Sequence, residues 1–253
     1  MNIQSNEIII LNNTSPMTTP TRPTPVVDLR GAYKYHYTDE LETAAVNNVD
    51  VRIEPGEFVA VMGPSGSGKS TLLNLIGMID DLSKGEYRFH GQEVTRLGRR
   101  ARARLRKGNI GFIFQSFNLI DELTAAENIE LPLLYLDQPR AARKAKVATA
   151  LAELEMTHRA NHYPRQLSGG QQQRIAIARA IVIEPKLILA DEPTGNLDSE
   201  NSALVMQQLN RLHRRGSTIV MVTHSPEDAA QAERVIELFD GQVLVREREY
   251  LAQ

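Results

Sequence analysis

Several groups of residues in this chain have the types and spacing for phosphate chemistry. The run "GPSGSGKST" from Gly63 to Thr71 fits G-x-x-x-x-G-K-[ST] at Gly63, Gly68, Lys69 and Ser70. It stands between an apolar stretch, Phe58 to Met62, that reads as a strand and a segment from Thr71 that reads as a helix, the context this pattern needs. Glycines let backbone N–H groups converge on phosphate oxygens without Cβ clashes. The candidate nucleotide cradle is therefore Gly63, Pro64, Ser65, Gly66, Ser67, Gly68, Lys69, Ser70 and Thr71. Lys69 suits the β/γ oxygens of a nucleoside triphosphate, and the Ser70 hydroxyl suits Mg²⁺. "LILADE" then ends an apolar run on two carboxylates. Alone, such a pair is a solvated strand end. Beside a phosphate loop, Asp191 becomes a candidate metal ligand and Glu192 a candidate to polarise an attacking water. Gln115 and His224 also follow apolar runs, "GFIF" and "TIVMVT". In an α/β sheet, ligands collect at the carboxyl ends of strands. There an amide can reach the metal or the water, and a histidine can bond a γ-phosphate or hold the water in line.

A second glycine-rich stretch, "RQLSGGQQQRIAIARA" from Arg165 to Ala180, opens an apolar helical segment. It has the composition of an anion-binding helix N-terminus. The chain's own phosphates already have a cradle, so a second one needs another explanation.

The elements that must hold these groups alternate. "VNNVDVRI" sets Val49, Val51 and Ile53 on one face of a strand, Pro55-Gly56 marks a turn, and "EFVAVM" follows as a short apolar strand. "EYRFHGQEV" and "NIGFIF" read as further strands. Val147, Leu151 and Leu154 recur at helical spacing, the helix after Gly170 is apolar on most faces, and a further helix carries Val205, Leu209 and Leu212. "KLILA" and "TIVMV" are continuous apolar strands of the kind covered on both faces. "RVIELF-DG-QVLV" reads as a hairpin on an Asp-Gly turn. The alternation predicts an α/β fold with a mainly parallel core, interrupted by a helical block at about 115–165. Residues 1–25, polar and rich in Thr, Asn and Pro, read as a flexible extension, with one domain from 26 to 253.

Bulk composition narrows the partners. Twenty-nine Lys+Arg against 31 Asp+Glu give a net charge of -2, so no basic excess points to nucleic acid. Cysteine is absent, which excludes thiolate chemistry. No apolar run approaches the ~18 residues of a membrane span, and "EIIIL" is too short for a signal core. The reading is a cytoplasmic protein whose membrane part, if any, lies in another polypeptide. The basic run from Arg96 to Lys107 has Leu97, Ala101 and Leu105 at i, i+4, i+8, a helix with a thin apolar stripe and a solvated basic face. Anionic lipid headgroups or permease loops are the alternative partners of that face.

In order and spacing these motifs resemble the nucleotide-binding subunit of an ABC transporter, over nearly the whole chain from about residue 26. The resemblance rests on "GPSGSGKST" (Walker A), Gln115 (Q-loop), "LSGGQQQR" (signature), "LILADE" (Walker B), "GNLD" ending at Asp198 (D-loop) and His224 (H-loop). The wording is most similar to the macrolide-exporter, lipoprotein-releasing and cell-division subgroup. It implies a P-loop NTPase core with an antiparallel β subdomain and an inserted α-helical signature subdomain. It implies ATP and Mg²⁺, with Ser70, Gln115 and Asp191 around the metal and Glu192, His224, Lys69 and Gln115 as catalytic groups. Two such subunits pair head to tail, so Ser168, Gly169, Gly170 and Gln171 would hold the partner's ATP, which accounts for the second glycine-rich stretch. The implied partners are a second copy, an integral membrane permease and, for this subgroup, a periplasmic or extracytoplasmic adaptor, on the cytoplasmic face of the membrane. A regulator of a membrane partner without transport, of the cell-division type, is the alternative function. The family stacks adenine on an aromatic about 25 residues before Walker A. Here ungapped alignment lands on His36 within "YKYHY", and the flanking Tyr35 and Tyr37 are the candidates.

Overall fold

The computed structural model describes residues 23–37 and 42–244. Most of the N-terminal extension expected over 1–25, and the last residue of the expected hairpin, Val245, lie outside the described residues.

Two sheets are present. A four-stranded antiparallel sheet, β2-β1-β4-β5, is built from β1 (Val27–Tyr37), β2 (Glu42–Ile53), β4 (Lys84–Phe89) and β5 (Gln92–Glu93). A six-stranded sheet of order β10-β9-β3-β8-β7-β6 contains β3 (Phe58–Met62), β6 (Ile110–Phe114), β7 (Leu187–Asp191), β8 (Ile219–Val222), β9 (Arg234–Phe239) and β10 (Gln242–Leu244). Its strands run parallel except β10, which returns antiparallel to β9 through Asp240-Gly241, both at positive φ. That is the left-handed turn pair that an Asp-Gly hairpin requires.

The central strands β3 and β8, and β7 up to its last residue, are apolar because each face has its own core. Phe58, Ala60, Ile188, Ala190, Ile219 and Met221 enter one core with α3 (Ala125–Leu134), α4 (Arg140–Glu153), α5 (Gly169–Ile181) and α6 (Ser199–Arg214). Val59, Val61, Leu187, Leu189, Val220 and Val222 enter the other, with α1 (Lys69–Ile76) and the antiparallel sheet. Val49, Val51 and Ile53 point into this second core, as their alternation predicts. Val147, Leu151 and Leu154 bury one face of α4, and Val205, Leu209 and Leu212 one face of α6.

Local details differ from the expectations. "EYRFHGQEV" divides into β4 and β5 because His90 and Gly91 take positive φ and turn the chain. The Arg-rich helix, α2, spans only Arg99–Arg106, since Gly98 sits at its N-cap and leaves Leu97 outside. Within the helical block, residues 115–124 form a loop, closed where Thr124 and Glu127 make a reciprocal capping box at the start of α3.

Candidate nucleotide site

The glycine loop follows β3 and is wedged between two other strands. A Cβ on Gly63 would lie 2.1 Å from the Leu238 carbonyl oxygen, and one on Gly68 would lie 2.0 Å from that of Ala45. Both glycines, at φ 155° and 96°, also need backbone that side chains disfavour. Gly66 meets nothing within 4 Å and forms the open lip with exposed Pro64 and Ser65. Gly68 caps α1 without a side-chain bond, and among the described residues the first-turn N–H groups, from Lys69 to Thr71, have no side-chain partner. Lys69 donates to the carbonyls of Gly63 (3.0 Å) and Pro64 (2.8 Å), a loop-closing pose on the lip itself. Burial lowers its pKa, opposed by the Glu192 and Asp191 carboxylates. The buried Ser67 hydroxyl has no partner among the described residues.

Asp191 ends β7 and accepts from the Ser70 hydroxyl at 3.3 Å. Burial raises the Asp191 pKa, and the neighbouring Glu192 charge adds to this. The Ser70 bond, Lys69 and His224 oppose it. A cation beside Ser70 and Asp191 would relieve that burial cost, so the two oxygens suit Mg²⁺ as a donor set. Glu192 turns out of the strand at φ 46°, its N–H on the Val222 carbonyl at 2.9 Å. Its Oε1 meets Nε2 of His224 at 2.9 Å. Strands β7 and β8 are neighbours, so their carboxyl ends deliver this pair together.

Gln115, at the end of β6, faces the 195–198 turn: its amide donates to Asn196 Oδ1 (3.2 Å), and Asn196 donates back to the Gln115 carbonyl (3.0 Å). The side chain is thus committed to the D-loop turn rather than to Asp191 or Ser70. Asp198 caps α6, accepting from the Asn201 N–H at 2.8 Å and from the Asn201 amide. These bonds hold its carboxyl below the usual value.

The second glycine-rich stretch starts α5. Ser168 accepts from the Gln171 N–H (3.3 Å), and Gln171 Oε1 accepts from the Ser168 N–H (3.1 Å). A Cβ on Gly170 would fall 1.9 Å from Asn201 Oδ1, whereas one on Gly169 would meet Leu197 at an ordinary 3.4 Å. No hydrogen bond among the described residues joins 168–171 to the loop at 63–71.

Tyr35 lies in β1 opposite Ala44 of β2, next to the Ala45 carbonyl that abuts Gly68. Its ring stacks on Tyr33 (centroids 5.9 Å apart), and the Lys84 ammonium lies 5.3 Å from the Tyr35 ring centre. Sequence reasoning missed both Tyr33 and Lys84, since Lys84 arrives from a different strand. Of Tyr37 only the backbone is described, paired with Glu42, and its side chain lies outside the described residues. His36, the ungapped match, is exposed.

A glycine loop between strand and helix, its lysine and serine, and a strand-end Asp-Glu define a P-loop nucleoside triphosphatase. The match to known proteins narrows the class. Residues 46–195 match the ABC transporter family model, and the chain belongs to that family. It is 47% identical over 221 residues, 87% of this chain, to the macrolide export ATP-binding/permease protein MacB of Azoarcus sp. strain BH72, of which that match covers 34%. The chain thus spans about a third of the MacB relatives it matches. It is 45% identical to the ABC transporter ATP-binding protein MJ1508 of Methanocaldococcus jannaschii, over 87% of this chain and 98% of that one. Among solved structures, the dimeric bacterial ABC transporter cassette MJ0796 is similar at TM-score 0.80 and 44% identity, over 86% of this chain and 96% of that one. A dimeric post-hydrolysis state of MJ0796 bound to ADP and Pi matches at TM-score 0.82 and 43% identity, over 90% and 100%.

Proposed function

We propose that the chain powers a separate membrane permease by ATP-dependent dimerisation, exporting or extracting a substrate, with residues 26–253 as one ATPase domain and about 115–165 as its helical subdomain. The observation that carries the reading is the Glu192–His224 contact at 2.9 Å beside the Ser70–Asp191 pair. ATP would lie with its phosphates over Gly63–Thr71 and its adenine against Tyr35, or against Tyr37. Bound Mg²⁺, held by Ser70 and Asp191 with Gln115 nearby, would supply charge neutralisation at the phosphates. Lys69 would exchange its two loop carbonyls for β/γ oxygens. Glu192 would accept the proton of the water that attacks the γ-phosphorus, and His224 would orient that carboxylate. The phosphorus–oxygen bond to ADP breaks as the new one forms. In this reading Ser168, Gly169, Gly170 and Gln171 complete the site of a second copy, and Asp198 stands at that junction.

Among the described residues, no helix is long and apolar enough to cross a membrane. The permease reading is supported by the name of the MacB relatives, which joins an ATP-binding part to a permease. It is also supported by an apolar cleft of ≈ 460 Å³ beside α2, whose lining includes Ile110, Phe112, Pro132, Tyr135 and Ile183. Tyr135 is 63% exposed there, a ring with no aromatic partner among the described residues. A permease helix in that cleft would set the chain on the cytoplasmic face of a membrane, with an extracytoplasmic adaptor reached only through the permease.

The test is Glu192→Gln. It should bind Mg-ATP, hydrolyse it poorly and accumulate an ATP-bound dimer on size-exclusion chromatography. Hydrolysis at the parent rate removes Glu192 from the mechanism.

A further inference from the structure

The two residues after Glu192, Pro193 and Thr194, are both buried, although the turn they begin leads to exposed Gly195 and Asn196. Each is held from a different direction. The Thr194 hydroxyl donates to Asp228 Oδ2 at 2.6 Å, and both side chains are more than nine-tenths buried. Asp228 belongs to the short helix α7 (Pro226–Ala229), which begins two residues after His224. On the other side, the Gln173 amide donates to the Pro193 carbonyl at 2.6 Å, and Gln173 is fully buried in α5. Its Oε1 has no partner among the described residues, so the side chain is turned to serve Pro193 alone.

These contacts have no catalytic chemistry of their own. A hydroxyl and a carboxylate in a site this enclosed are costly to bury unless they bond each other. Their effect is geometric. Glu192 sits at φ 46°, a conformation uncommon for a residue with a side chain. Immediately before it, the Val222 carbonyl fixes its N–H. Immediately after it, the two buried bonds fix Pro193 and Thr194. The Glu192 carboxylate reaches His224 only while the turn stays put, and α7, which begins two residues after His224, carries the acceptor for Thr194.

We propose that Thr194, Asp228 and Gln173 are positioning residues that clamp the segment after Glu192 and so hold the Glu192–His224 pair in its reactive geometry. Asp228 ties the carboxylate's segment to the histidine's segment. Gln173 ties the same segment to α5, the helix whose N-terminus carries Ser168 to Gln171. A displacement at the start of that helix is thereby transmitted to the subunit's own Glu192. The inference rests on the reading of Glu192 as the group that activates water.

The test compares Thr194→Val with Thr194→Ser in the full chain, measuring steady-state ATPase, the dissociation constant for ATP and Tm. Valine keeps the shape and removes the donor, while serine keeps the donor. The clamp predicts that Thr194→Val lowers kcat by roughly ten- to a hundredfold with KM for ATP little changed, as misplacement of a reacting group does. Thr194→Ser and Asp228→Asn, which retain a donor and an acceptor, should stay within about threefold of the parent kcat. Gln173→Leu, on a different element, should reproduce the loss of kcat and supplies the readout if Thr194→Val does not fold. Parent-like kcat in Thr194→Val or Gln173→Leu, or Thr194→Ser no better than Thr194→Val, overturns the clamp. Glu192→Gln in the same assay separates the two readings: if it hydrolyses ATP normally the Glu192 reading fails, and if it is inactive while Thr194→Val is normal only the clamp fails.

Discussion

Two glycine-rich stretches begin helices in this chain, and they use glycine for different reasons. In the loop at 63–71, Gly63 and Gly68 are required by neighbouring backbone and by positive φ, and no side chain caps α1. At 168–171 neither glycine has positive φ. Gly170 is required by the Asn201 side chain, and Ser168 and Gln171 cap each other. The difference decides which donors remain for an anion. The first loop offers a whole turn of N–H groups plus Lys69. The second has already given the Gln171 N–H to Ser168, so Gly169 and Gly170 carry what is left. A strong, charged cradle and a weak, neutral one are what a shared site needs if the phosphates belong to one subunit and only their outer oxygens meet the other.

The strongest way to break that comparison is to mix two inactive proteins. Lys69→Ala damages a subunit's own loop. Gly169→Asp puts a carboxylate where the second stretch would meet a partner's γ-phosphate, and its Cβ itself fits. Each alone should lose nearly all ATPase activity. In a head-to-tail mixed dimer both lesions fall in one site and the other is intact, so mixing should restore activity. No recovery, with mixed dimers shown to form and a parent/Lys69→Ala dimer shown to be active, ends the shared-site account.

A second test sharpens the claim that Gly170 is a packing glycine. Gly170→Ala drives a methyl into Asn201 and should cost about 1–3 kcal/mol, as overpacking does. Adding Asn201→Ala should recover part of the lost Tm in Gly170→Ala, but none in Gly169→Asp.

Smaller effects follow from the caps and the ring. Ser168→Ala removes one half of the capping box and should cost about 1 kcal/mol in thermal or denaturant unfolding. Ser168→Asp, an equally good cap, should restore stability without restoring ATPase activity. Tyr35→Ala should weaken ATP binding by about 1 kcal/mol through lost stacking, read by titration calorimetry, with a smaller change in maximal rate. If affinity does not change, Tyr37 or another ring is the platform.

The smallest expected effect is at the acid limb of stability. The Asn201 bonds hold the Asp198 carboxyl below its ordinary 3.8. A group depressed in the folded state contributes above its unfolded value and loses that contribution as pH falls through the folded one. Between about pH 5 and the onset of acid unfolding, parent and Asp198→Asn should therefore converge in Tm. Curves that stay parallel would show that the cap carries no charge-dependent stability.

What the sequence determined by itself was everything written in local backbone terms. A strand, a glycine turn and a helix follow one another at Gly63–Thr71 in the pattern of a candidate phosphate cradle, and an apolar run ending in Asp191-Glu192 leaves two carboxylates at a strand end. Alternation placed Val49, Val51 and Ile53 on the core, and Asp240-Gly241 specified its hairpin. Each depends on residues within about one turn or one strand of each other. Tertiary structure alone decided the rest: that Gln115 bonds Asn196, that Asn201 stands behind Gly170, that Lys84 lies over Tyr35, and that Asp228 and Gln173 grip the segment after Glu192. Those partners lie 20 to 81 positions apart in the hydrogen-bonded cases. A side-chain hydrogen bond leaves no periodicity in sequence, because its distance and direction are set by how separate elements pack rather than by the turn of any one of them.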